Sequence, residues 1–348
     1  MNLSTTTTRS PSRFTSHHPT WLPTHRSWLA AVCMGLSGHL TGCMSVPPTV
    51  EHDPSLPQLV ARGKSFHAET VGPADGPVVV VVHGGPGADY RYLKGLVTLA
   101  NPYRIVFYDQ YGSGLSPRVP ASQLSVQSFM DDLDAIIDHT SPHRPVRIVG
   151  HSWGAMLATA YAGAHPNKVE RMVLAEPGFL DAATLQGVPQ GGWPGWAMVW
   201  GMTTAWMGQW LVDTNGDSFA RDDWFLTQVL PLTQPANVPC TGQPTAMQAW
   251  RFGSPAFEAT VGRMMKDPDW AQTLDFTQGL AGYTRPVLFL RGACNTMQGE
   301  AHQRQMMARF GPGNRARLVT IEGAGHFMFN DQPDASLSAV RAFLDETF

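Results

Sequence analysis

The chain lacks any run of about 18 apolar residues, the length a membrane-spanning helix requires. It also lacks a block of Lys and Arg, and its net charge is −3, so nothing marks the basic footprint of a nucleic-acid binder. No internal repeat is present, which sets repeat architectures aside, and no low-complexity tract follows the Ser/Thr-rich first residues. Cysteine is scarce, with four in 348 residues. What remains is 43% hydrophobic and 15% charged, a composition that can build a good core, and 348 residues suffice for one large α/β domain or a domain with a sizeable insertion.

The regular pattern begins near residue 58. PVVVVV (77–82) is an uninterrupted β-branched run, as expected for a strand buried on both faces of a parallel sheet. RIVFY (104–108), VRIV (146–149), MVLA (172–175), VLFL (287–290) and ARLVTI (316–321) are similar. Between them, 126–139 places Val126, Phe129, Met130, Leu133, Ile136 and Ile137 on one helical face. Segments 153–164, 302–310 and 336–348 are further helices. Alternating strands and helices predict an α/β fold with a mostly parallel sheet flanked by helices. Residues 180–280 break the alternation and hold eight of the eleven tryptophans, which predicts a helical cap inserted between sheet strands. Its aromatics can form a small core of their own or face a ligand. The core is then 58–179 and 281–348.

Three motifs carry chemistry. Gly150-His151-Ser152-Trp153-Gly154 fits a nucleophile elbow, in which a serine sits on a sharp strand-to-helix turn and glycines permit close packing. His83-Gly84-Gly85-Pro86-Gly87 follows the 77–82 strand, where the Gly85 N–H can meet a developing oxyanion together with the Trp153 N–H. His326, in Gly323-Ala324-Gly325-His326, follows the last strand and is the candidate base for Ser152. Together with DQYGSGLS (109–116), these motifs resemble the proline iminopeptidase branch of the α/β-hydrolases. Tyr111 stands where that family usually has arginine.

The resemblance spans about residues 60–348. It implies an α/β-hydrolase fold and a Ser–His–acid enzyme that attacks an ester or amide carbonyl of a small-molecule or peptide substrate. It implies neither a cofactor nor a metal. The family's cap motif, A-W-x-x-W-E, is matched here only by AWRFGS (249–254), without the glutamate that holds a substrate's ammonium. A broader esterase or amidase is therefore favoured over a prolyl aminopeptidase. Dehalogenase and epoxide hydrolase readings fail because their elbow nucleophile is an aspartate. A non-catalytic binding protein on the same scaffold is the competing class.

The family's acid is absent from its usual place, since Gly292-Ala293-Cys294-Asn295 ends in an amide. Two carboxylates could replace it, the remaining alternative being a site with no acid. Glu176 ends the preceding strand, where some haloalkane dehalogenases resemble this arrangement. Glu300 lies later in the same loop, but a helix N-terminus explains it equally well.

The first 43 residues differ in kind. Arg26, a short apolar stretch and Leu40-Thr41-Gly42-Cys43 resemble a secretory signal ending in a bacterial lipobox. That resemblance implies cleavage before Cys43 and lipidation of its thiol. With Ser45 and no aspartate just after it, it also implies an outer-membrane anchor facing the periplasm. The Pro-rich 44–57 then reads as a linker lifting the domain off the membrane. Cys33 would leave with the signal, so Cys240 and Cys294 are either a disulfide or two unrelated thiols.

Overall fold

A computed structural model of the chain describes residues 44–186, 196–233 and 248–346. Eight strands form one sheet in the order β1-β2-β4-β3-β5-β6-β7-β8. They are β1 (Gln58–Ala61), β2 (Lys64–Val71), β3 (Val78–Val82), β4 (Arg104–Tyr108), β5 (Val146–His151), β6 (Val169–Ala175), β7 (Val287–Gly292) and β8 (Ala316–Ile321). From β4 to β8 every pairing is parallel, whereas β1 and β2 add antiparallel at one edge. The β-branched runs became strands because all five valines of β3 are buried, which only a central strand covered on both faces allows.

Alternation along β3 assigns its side chains to two layers. Val78, Val80 and Val82 meet α1 (Val126–Thr140) and α2 (Trp153–Ala164). Val79 and Val81 share the opposite layer with helix Tyr90–Leu99 and α6 (Pro333–Asp345), and two cores result. Between β6 and β7 every regular element among the described residues is a helix, including α3 (Trp196–Gly208) and α4 (Ala220–Val229). The helix after β7, α5, runs over Glu300–Met307.

One expectation fails. Residues 44–57 do not form a free spacer but lie against the domain. Thr49 and Val50 are buried, and the Val50 N–H donates to Leu115 O at 2.9 Å. Met44 bridges to Val212, and the Asp213 N–H donates to Met44 O at 2.8 Å. Proline content suggested an extended linker, but burial and a single cation decided otherwise. Arg251, fully buried, donates from Nη1 to Pro47 O at 3.0 Å.

The same arginine belongs to a buried cluster joining cap to core. Asp223 Oδ2 accepts from Arg251 Nε at 2.7 Å and from Arg118 Nε at 2.8 Å. Its Oδ1 accepts from the Ser254 N–H at 2.7 Å, and Asp217 takes Arg251 Nη2 at 2.6 Å. Two cations and two anions balance, but removing Asp223 takes the carboxylate from Arg118 and leaves two buried guanidiniums with Asp217 alone. Asp223→Ala is expected to lower the unfolding free energy by about 3–5 kcal/mol in urea titrations. Asp275→Ala, at an exposed turn carboxylate, should stay within about 0.5 kcal/mol of wild type. Equal losses in the two variants would refute the role given to the cluster.

Candidate active site

Ser152 lies between β5 and α2 with φ 54° and ψ −119°, a left-handed conformation that non-glycine residues seldom adopt. The Ser152 N–H donates to Ala175 O at 2.8 Å, which fixes the turn to the neighbouring strand. Packing around it leaves no room for side chains. A Cβ on Gly154 would fall 2.0 Å from Val82 O, and one on Gly84 would fall 2.9 Å from Ser152 Cβ. The His83–Gly87 loop therefore touches the serine directly. Trp153 opens α2, so its N–H has no partner within the helix and is left as a donor.

Gln110 clips the loop to the elbow. Its backbone N–H donates to His83 Nε2 at 3.0 Å, and its side chain donates to His83 O at 2.8 Å. Its Oε1 accepts from Trp153 Nε1 at 2.9 Å. The His83 Nδ1–H donates to Gly84 O at 2.8 Å, and burial lowers the imidazole's pKa.

A second chain of hydrogen bonds reaches the candidate base. The Gly84 N–H donates to Tyr92 Oη at 2.7 Å. Tyr92 Oη lies 2.8 Å from His151 Nδ1, and His151 Nε2 lies 2.8 Å from His326 O. A carbonyl only accepts, so Nε2 of His151 carries the proton and Tyr92 donates to Nδ1. Burial pulls the His151 pKa down to about 3, which keeps this tautomer neutral. The His83–Gly87 loop and the backbone of His326 are thus joined through two buried side chains.

Glu176 follows β6 in a left-handed conformation (φ 50°) and is fully buried. Its Oε1 accepts from the Gly292 N–H at 2.5 Å and its Oε2 from Asn295 Nδ2 at 2.6 Å. His326 Nδ1 lies 3.9 Å from the same Oε2. That exceeds hydrogen-bond length, as is common before a substrate tightens such a site. Burial pushes the carboxyl up to about 8 against both donors, and pulls the His326 imidazole down to about 4. Asn295 is itself held, because its Oδ1 accepts from the Met297 and Gln298 N–H groups. The amide at the family's acid position therefore grips the carboxylate that ends the preceding strand.

The other candidates lie elsewhere. Glu300 is half exposed at the start of α5, 2.7 Å from Arg304 and 3.9 Å from Arg291. Cys294 forms a disulfide, while Cys240, Cys43 and the signal-like segment lie outside the described residues. The 249–254 stretch braces the fold. The Trp250 N–H donates to Asp89 Oδ2 at 2.5 Å and the Gly253 N–H to Gly87 O at 2.7 Å. Sequence reasoning missed Tyr92, Gln110 and the part played by His151. Gln110 had a signal, its place in the 109–116 motif, but Tyr92 lies in no motif.

Residues 77–333 match the family model described as alpha/beta hydrolase fold. A cis-3-alkyl-4-alkyloxetan-2-one decarboxylase of Xanthomonas campestris pv. campestris is 25% identical over 79% of this chain and 90% of its own length. A proline iminopeptidase of Lactobacillus helveticus is 24% identical over 78% of this chain and 90% of its own. Among solved structures, a proline iminopeptidase-related protein from Thermus thermophilus superposes with a TM-score of 0.56. It is 21% identical and covers 82% of this chain and 95% of its own. With its eight-stranded sheet and the family match over most of its length, the chain belongs to the α/β-hydrolase fold family and is an enzyme of that family.

Proposed function

We propose that the protein is a serine hydrolase that cleaves an ester or amide through an acyl-enzyme. Ser152 Oγ attacks the carbonyl carbon as His326 takes its proton. The oxyanion is met by the Gly85 and Trp153 N–H groups. The imidazolium then returns the proton to the leaving group, and water releases the acyl chain by the same route. Glu176 holds and charge-compensates the imidazolium. The observation that carries this reading is the buried Glu176 carboxylate 3.9 Å from His326 Nδ1, beside a serine on a strained turn.

The substrate class proposed is broad rather than N-terminal prolyl. Where iminopeptidases have a glutamate for the substrate ammonium, this chain has a brace around the buried Arg251. The relatives' printed substrates include a peptide and a four-membered cyclic ester, both carbonyl compounds. We further assign the chain to the outer membrane, facing the periplasm and anchored by lipid on Cys43, on the strength of LTGC at 40–43.

A fluorophosphonate probe should label wild-type protein and leave Ser152→Ala unlabelled. Failure to label folded wild type would favour the non-catalytic binding protein. Against a panel of short and long acyl esters and prolyl amides, turnover is expected on esters first. With the best substrate and at a pH above that at which the Glu176 carboxyl ionises, Glu176→Gln should lower kcat by about 10³–10⁴, whereas Glu300→Gln should stay within a few-fold. A Glu176→Gln enzyme within a few-fold of wild type would refute the acid assignment.

The pH profile follows from the same pair. A carboxyl raised to about 8 is neutral at pH 7 and gives the imidazolium no counter-charge, while His326, lowered to about 4, is already an unprotonated base. Activity should therefore rise as pH increases through about 8, with no limb near the ordinary imidazole value. In Glu176→Gln the alkaline rise should vanish, leaving a low, flat profile above pH 5. A wild-type limb near pH 6.5 would contradict this.

A further inference from the structure

Helix α3 and the turn Gln209–Leu211 that continues it carry no charged side chain. The helix is also built inside out. Ala205 faces inward and is buried, and Gly201 and Gly208 pack against Leu232 and Trp224. Its large residues face solvent: Trp196 is 89% exposed, Trp200 71%, Trp206 57% and Trp210 60%, with Met207 and Leu211 beside them. At 13 residues the helix is about 20 Å long, too short to span a bilayer but able to lie along one. Indole rings favour the level of lipid headgroups. The Arg221 guanidinium, 5.4 Å from the Trp210 ring, adds a cation at the rim suited to phosphate.

The start of the domain indicates what covers this face. Met44 bridges to Val212 and accepts from the Asp213 N–H, so it is fixed at the end of the Gln209–Leu211 turn. Cys43 is the residue immediately before Met44 in the chain. Because 44–57 is pinned, no spacer separates that point from the helix. We propose that the aromatic face of α3 lies on the bilayer surface, with the lipid on Cys43 entering at its C-terminal end. The proposal rests on the lipid-anchor reading above, and it makes the face, rather than the lipid alone, set the orientation of the domain.

The test uses the full chain in phosphatidylethanolamine/phosphatidylglycerol vesicles whose acyl chains are brominated, with tryptophan emission as readout. Wild type is compared with Trp196→Gln/Trp200→Gln/Trp206→Gln/Trp210→Gln, its folding checked by near-ultraviolet circular dichroism. The pair Trp196→Gln/Trp200→Gln serves as a milder variant. Labelled palmitate incorporation, with Cys43→Ser as control, reads the anchor separately. The expected result is label on all chains that keep Cys43, bromide quenching in wild type, a reduced quenchable fraction in the pair and its loss in the fourfold variant. Label on Cys43 with equal quenching in all chains overturns the docking and leaves the anchor. Absence of label with quenching lost in the fourfold variant overturns the anchor and supports the docking. A wild type unquenched and dimeric, whose mass halves in the fourfold variant, gives the face to a second copy and overturns the proposal.

Discussion

A single buried carboxylate sets the terms for the site. Glu176 has no access to water, so it stays only because the Gly292 N–H and Asn295 Nδ2 each reach one of its oxygens. Those donors come from the end of β7 and the loop behind it, so the charge ties two adjacent strand ends together. Its left-handed backbone is the local cost of turning the side chain toward His326. Two donors do not fully replace water, which is why the carboxyl is pushed up to about 8. The group thus stands between a structural tie and a proton-sensitive partner of the imidazole.

Much of the fold was legible in the residues. β3 through β7 were visible because strands covered on both faces are mostly apolar, β8 because its β-branched and apolar residues persist at the other edge, and α1 because its apolar positions repeat at helical spacing. β1 and β2 were not singled out. QLVA is too short to show a period, and KSFHAETV mixes polar and apolar residues because it lies near the sheet edge. The 44–57 segment misled because proline reports local stiffness and says nothing of a distant cation such as Arg251.

At the site, the motif residues could be read because sharp turns demand particular residue types at fixed spacing. The long-range partners could not. Tyr92 and His151 are 59 residues apart in the chain, and no local pattern encodes their hydrogen bond. Asn295 was read as a vacancy. Its Nδ2 instead holds Glu176, so an amide at that position is a supporting part for a carboxylate supplied by the strand next door.

The Pro47 carbonyl contact with Arg251 bears on modularity. Arg251 spends its donors on Asp223, on Asp217 and on the main chain of a segment that precedes the first strand. The folding unit therefore reaches back beyond β1 at least to Met44, and these residues supply a carbonyl acceptor to the cap's buried guanidinium. Such a domain is not an interchangeable cassette. Grafted behind a different leader at residue 58, it would arrive with a buried guanidinium proton that nothing on the new chain is shaped to receive.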